Sequence, residues 1–141
     1  AHHTEIAVNL EESLEKTGQF EIINKDHWGS AVMFIPKISN NVVFKNLEEE
    51  KNIRDSYATV FIETMRKLGN PFYIDMVPEY SSGGVQYPYN SLKIYVMSPF
   101  SDKDTNKKFV SFILDLKKKI DSKFDFSYKN RPVVEYSHPL K

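Results

Sequence analysis

One helix near the middle of the chain restricts the fold more than any other segment. Its apolar residues recur every three or four positions, and they are Ile53, Tyr57, Val60, Phe61, Met65 and Leu68. This spacing predicts a helix with one buried face. Asn46, with Glu49 three residues later, predicts where the helix begins. Gly69-Asn70-Pro71 predicts where it ends.

Apolar segments on both sides of this helix predict a sheet. Before the helix, strands are expected over residues 4–8, 20–23, 30–38 and 42–44. Short loops join the last three, which favours an antiparallel meander. After the helix, strands are expected over residues 72–77, from Val85, over 92–96, over 124–126 and over 133–136. In residues 92–96 apolar and other side chains alternate, which is typical of a half-buried strand.

Two further helices complete the predicted fold. A short helix is expected over residues 10–17 after Asn9, and a long helix is expected after Ser101. Lysines at 107, 108 and 117–119 are expected on the solvated side of the long helix. The chain is therefore expected to be a single α+β domain over residues 1–141. It would have a mixed, mainly antiparallel sheet, with two long helices and one short helix packed on one face.

The charge balance and the lack of cysteine exclude some kinds of binding partner and some kinds of metal or disulfide chemistry. The 141 residues carry 19 basic and 19 acidic side chains, so the formal net charge is zero, and there is no cysteine. A neutral chain has no general attraction for nucleic acid, and no apolar run reaches the ~18 residues of a membrane span. Disulfides, thiolate zinc sites and iron–sulfur clusters are excluded. We expect residues 1–3, Ala-His-His, to be a tag remnant or a mature N-terminus.

Motifs for catalysis, metals and cofactors are missing from the sequence. No histidine pair has metal-ligand spacing, no serine has a recognisable histidine and acid set, and no glycine run fits a phosphate or dinucleotide loop. We therefore expect no metal, no cofactor and no catalytic residue. An enzyme with an unrecognised carboxylate site stays open, with Asp75, Glu79 or His27 as its candidates. A solvent-facing Asp75 is the more ordinary interpretation.

A tyrosine-rich connection over residues 79–90 is the most distinctive segment. Tyr80, Tyr87 and Tyr89 suit recognition of a partner, because tyrosine offers apolar area and a hydroxyl at little entropic cost. The alternative is that these tyrosines fold back onto the sheet. His27 and Trp28 are a second candidate contact, with the alternative that Trp28 covers one end of the core.

Residues 14–23, LEKTGQFEII, resemble the Leu-x-x-(Ser/Thr)-Gly-x-Phe opening of the TolB amino-terminal domain. Curli-secretion-type and penicillin-binding-protein-activator lipoproteins carry similar segments. The resemblance covers ten residues and implies no site residues. It favours a bacterial protein of the periplasm or envelope that acts by protein contacts.

These observations favour a non-enzymatic protein-binding or accessory domain that contacts another protein through the tyrosine-rich hairpin loop. Homo-oligomerisation is compatible with the same sequence. One alternative is a carrier or sensor of a small apolar ligand, held in a cavity between sheet and helices. The other alternative is the enzyme with a carboxylate site.

Overall fold

Three helices and six strands form in the part of the chain that the computed structural model describes, which is residues 5–25, 30–82, 84–96 and 102–127. In chain order they are α1 (Glu5–Lys16), β1 (Phe20–Ile22), β2 (Ala31–Pro36), α2 (Leu47–Lys67), β3 (Asp75–Val77), β4 (Tyr80–Ser82), β5 (Val85–Tyr87), β6 (Ser91–Tyr95) and α3 (Lys103–Asp121).

The main sheet has four strands in the order β1-β2-β6-β3, and every pairing is antiparallel. Phe34 of β2 lies opposite Leu92 of β6, and Asp75 of β3 lies opposite Lys93. Strands β4 and β5 form a separate two-stranded hairpin. The predicted α+β class with a mainly antiparallel sheet is confirmed.

The helices bury one face of this sheet. Alternate residues of the strands, such as Phe20, Phe34 and Leu92, are fully buried against apolar residues of all three helices. The ring of Phe34 meets the rings of Phe20 and Phe109 edge to face, at centroid distances of 5.8 and 5.9 Å. Such aromatic pairs add to the stabilisation that burial gives.

The other face of the sheet carries a smaller apolar cluster. Ile23, Met33 and Ile35 are buried there beneath Tyr80 and Tyr87 of the hairpin. The pairing of Tyr80 with Tyr87 puts both rings on the same face of the hairpin. Ser81 and Gln86 form the next pair, and both are exposed. The hairpin therefore acts as a cover for part of the sheet.

Both ends of α2 agree with the sequence-based prediction. The Asn46 side chain accepts a hydrogen bond of 2.8 Å from the Glu49 amide, as an N-cap does. At the other end Gly69 and Asn70 take left-handed conformations, with φ of 83° and 46°. The Asn70 side-chain oxygen then accepts from the Ile74 amide at 2.9 Å and fixes the turn into β3.

The N-terminal prediction was wrong: residues 5–8 are helical, whereas a strand was expected over residues 4–8. The reason is that Ala7, Leu10 and Leu14 share one buried helix face, so packing extends the helix back past Asn9. Asn9 is no cap. Its side-chain oxygen accepts a hydrogen bond of 2.9 Å from Asn106 on α3.

Two of the predicted strands are also wrong. Residues 42–44 are not a strand, because the neighbour of β2 in the sheet is β6 and the Phe44 ring lies against Arg54. Residues 124–126 are not a strand either, because the rings of Phe124 and Phe126 pack on Tyr57. The strand expected over residues 72–77 is shortened to β3. The strand expected over residues 133–136 and the cap expected at Ser101 lie outside the described residues, and Asp102 caps α3.

Candidate functional site

The tyrosines of residues 79–90 lie together, but two of them face inward. Tyr80 and Tyr87 pack on the apolar cluster of the sheet's second face, as the fold-back alternative expected. The ring of Tyr89 meets that of Tyr87 edge to face at 5.2 Å. Burial raises the pKa of Tyr87 above its ordinary range, and the charge of Arg54 opposes that shift. Burial also raises the pKa of Tyr89.

Arg54 of α2 organises the surface beside these tyrosines. Its guanidinium carbon lies 5.2 Å from the centre of the Phe44 ring and 5.5 Å from the centre of the Tyr89 ring. Its Nε donates to Glu50 Oε2 at 2.9 Å. The cation is thus stacked on aromatic rings and paired with a carboxylate, which fixes its orientation.

Polar contacts between α2 and residues 88–90 hold this arrangement in place. Asp55 accepts a hydrogen bond of 2.7 Å from the Asn90 amide, and the Asn90 side chain donates to the Thr59 hydroxyl at 3.2 Å. The Lys51 ammonium donates to Asp55 at 2.9 Å and to the Pro88 carbonyl at 3.3 Å. The end of the tyrosine-rich connection is therefore anchored to one face of a long helix.

Exposed apolar side chains flank the anchored aromatic rings. Val43 precedes Phe44 in the chain and is 79% exposed, and Leu47 is 78% exposed. Leu47 and Arg54 are seven residues apart on α2, so they lie on the same helix face. We define the Arg54 patch as Val43, Phe44, Leu47, Arg54, Pro88 and Tyr89.

A second polar cluster lies where α2, α3 and the turn before β1 meet. The Tyr57 hydroxyl donates to one Asp121 oxygen, and the Lys117 ammonium donates to the other at 2.8 Å. Lys117 also donates to the Gln19 side-chain oxygen at 2.9 Å. The cluster borders a cleft of about 620 Å³ that Lys37 and Phe126 also line.

This cluster is arranged to join three elements. The Tyr57 proton and two of the Lys117 donors already have partners within the cluster. Burial raises the pKa of Tyr57 far above its ordinary value, and the hydrogen bond to Asp121 and the charge of that carboxylate raise it further. Tyr57 therefore stays protonated and acts as a donor.

The buried tyrosines predict a loss of stability in alkali. In the unfolded chain Tyr57 and Tyr87 ionise near the ordinary value of 10.0, but in the folded protein they stay protonated. The unfolded chain then binds fewer protons, so the free energy of unfolding falls as the pH rises above that value, by up to about 1.4 kcal/mol per pH unit for each tyrosine. Below it their contribution is fully present.

Urea titrations at a series of pH values measure this decline. Tyr57→Phe and Tyr87→Phe should each make the alkaline slope shallower, whereas Tyr73→Phe, at an exposed position, should leave it unchanged. If neither Tyr57→Phe nor Tyr87→Phe changed how steeply the free energy of unfolding falls with pH, the raised pKa values of these two tyrosines would be contradicted.

The two carboxylates proposed for an enzyme site, Asp75 and Glu79, are both exposed. Asp75 is exposed and lies opposite Lys93, and Glu79 is exposed in a left-handed conformation with φ of 47°. Among the described residues no group of three histidines or acids is placed to hold a metal ion. His27 and Trp28 lie outside the described residues, so their role stays a prediction.

No protein-family model, curated protein or solved structure matches this chain. The resemblance to the TolB amino-terminal domain therefore stays confined to residues 14–23. In the part of the chain that the structure describes, no helix is long and apolar enough to cross a membrane.

Proposed function

We propose that this chain is a non-catalytic binding domain that docks an apolar segment of a partner protein on the Arg54 patch. The observation that carries the proposal is the position of Val43 and Leu47. They are among the most exposed large apolar side chains of the described residues. Val43 directly precedes Phe44, one of the two rings on which Arg54 is stacked, and Leu47 lies on the same face of α2 as Arg54. Neighbouring exposed apolar residues are a common mark of protein contact sites.

The charges of the patch favour an apolar partner over a charged one. Arg54 is paired with Glu50, and Lys51 is paired with Asp55. A partner that covers the patch does not leave these cations unpaired in a desolvated interface. Aromatic residues and arginine are enriched at the centres of protein interfaces, where most of the binding energy resides.

The tyrosine-rich segment contributes to the patch through its last residues and not through the hairpin itself. Tyr80 and Tyr87 of the hairpin pack on the sheet, while Pro88 and the half-buried Tyr89, which follow the hairpin, are part of the patch. The hydrogen bonds of Asn90 and Lys51 hold this segment before a partner arrives. A preformed surface binds more tightly because less entropy is lost on binding.

The experiment is site-specific photocrosslinking in the native host. A photoreactive amino acid at Leu47 should give a crosslinked protein, while the same group at the exposed Tyr73, which is outside the patch, should not. The purified partner is then titrated against the double variant Val43→Ser/Leu47→Ser and against Arg54→Ala. Each should bind at least about tenfold more weakly, because truncation of a hot-spot residue typically removes about 2 kcal/mol or more and about 1.4 kcal/mol corresponds to tenfold.

The proposal would be contradicted if Val43→Ser/Leu47→Ser and Arg54→Ala both bound the partner with the same affinity as the parent protein. Sedimentation equilibrium of the parent protein distinguishes a second copy of this chain from another protein as the partner. A dimer that Val43→Ser/Leu47→Ser dissociates would identify the partner as a second copy. Circular dichroism of each variant confirms that the fold is kept.

A further inference from the structure

An apolar groove lies between the C-terminal halves of α2 and α3, away from the Arg54 patch. It has a volume of about 510 Å³. Its lining includes Val60 and Thr64 from α2, Leu116 and Ile120 from α3, and Phe124. The Thr64 hydroxyl donates to the Val60 carbonyl at 2.7 Å, so its hydrogen is already used within the helix. The groove therefore offers a ligand mainly carbon surface.

The rim of the groove is positively charged. Lys67, Lys119 and Lys123 line it, against a single acid, Glu63. Within the described part of the chain none of these three lysines forms an ion pair. Both helices end beside the groove, and helix C-termini carry partial negative charge. The lysines more than offset that charge and give the groove a net attraction for anions.

We propose that this groove binds a single-chain anionic amphiphile of the fatty-acid class. The acyl chain would lie along the apolar lining, and the carboxylate would lie among the three lysine ammonium groups. The acyl chain matches the apolar lining, and the carboxylate matches the basic rim. The apolar lining by itself would accept any apolar ligand, so the lysines are what favour an anionic one. Pockets of ~300–1,000 Å³ are the usual size for small-molecule ligands.

The size of the groove favours an acyl chain over two larger occupants, a partner helix and a bilayer surface. One turn of an α-helix, about 10–12 Å wide and 5.4 Å long, fills roughly 500 Å³. A partner helix would therefore extend well beyond the groove. A bilayer surface is flat and cannot fill a concave site between two helices. An extended acyl chain is much narrower than a helix and is therefore the better match to a groove of this volume.

The test is calorimetric titration with dodecanoate below its micelle concentration, beside dodecyltrimethylammonium as a ligand of opposite charge. The triple variant Lys67→Gln/Lys119→Gln/Lys123→Gln removes the basic rim. Its matched control, Lys107→Gln/Lys108→Gln/Lys118→Gln, removes the same charge from exposed positions of α3 that do not line the groove. Leu68→Ser, at an exposed position on the groove wall, tests the apolar contact.

The proposal expects saturable binding of one dodecanoate per chain and none of the cationic ligand. The rim variant should bind dodecanoate about tenfold more weakly, because each partly exposed ion contact contributes modestly. The control variant should keep the parent affinity, and Leu68→Ser should reduce it. No saturable binding, equal binding of both ligands, or unchanged affinity in the rim variant would overturn the proposal. So would flotation with phosphatidylglycerol vesicles in the absence of any binding to monomeric dodecanoate.

Discussion

Replacing Phe34 with alanine is expected to lower the free energy of unfolding by about 3–5 kcal/mol, the range for loss of a buried aromatic ring. Phe34 is fully buried in β2, at the centre of the sheet, and its ring touches those of Phe20 and Phe109. The substitution therefore removes one buried ring and the edge contacts of two others. Denaturation in guanidinium chloride, followed by circular dichroism, measures the change.

An exposed aromatic residue provides the control for this experiment. Tyr73 is 81% exposed, so Tyr73→Ala should change stability by no more than about 0.5 kcal/mol. A loss below about 1.5 kcal/mol for Phe34→Ala would contradict the packing of the helices on this face of the sheet.

The sequence predicted α2 and the helix-facing side of the sheet because those elements depend on local pattern. The spacing of Ile53, Tyr57 and Phe61 along the helix, together with the cap at Asn46, specifies an amphipathic helix without knowledge of its partners. Likewise, Leu92 and Ile94 alternate with Lys93, and the first two are buried. Where one face of an element is buried, the periodicity of its side chains is a sufficient signal.

Lys117 shows why the polar clusters could not be predicted. It stands in a run of three lysines, where a solvated position is the ordinary expectation, yet only 5% of it is exposed. Its partner Asp121 is one helical turn away and so was within reach of pattern analysis. Gln19, however, is brought to Lys117 only by the packing of α1 and β1 against α3. No local rule connects residues 98 positions apart.

The Arg54 patch was missed for the same physical reason. Glu50 and Arg54 are recognisable as a helical ion pair. Nothing near Arg54 in the sequence indicates that Phe44 turns back over it from the preceding loop, or that Tyr89 reaches it from the connection before β6. The one available signal was the length and tyrosine content of residues 79–90. That signal singled out residues 79–90, but it did not show that Tyr80 and Tyr87 face the sheet.

The polar cluster around Asp121 gives the second large effect. Asp121→Asn should lower the free energy of unfolding by about 2 kcal/mol, because the buried Lys117 ammonium loses the carboxylate that compensates its charge. This loss is smaller than the loss for a fully buried ion pair, because about a third of the Asp121 side chain is exposed and water screens its charge. The asparagine oxygen can still accept from the Tyr57 hydroxyl, while its amide nitrogen, which is a donor, takes the place of the oxygen that accepts from Lys117, so Lys117 loses both the charge and the hydrogen bond.

A double variant separates loss of the ion pair from general damage to the packing. In Asp121→Asn/Lys117→Met the methionine occupies the apolar path of the lysine stem but brings no charge, so no uncompensated cation stays buried. The double variant should therefore be more stable than the sum of the two single losses predicts, by about 1 kcal/mol or more. Lys118→Met, at the exposed neighbouring position, should change stability by less than about 0.5 kcal/mol. Strictly additive losses in the cycle would mean that Lys117 and Asp121 do not interact.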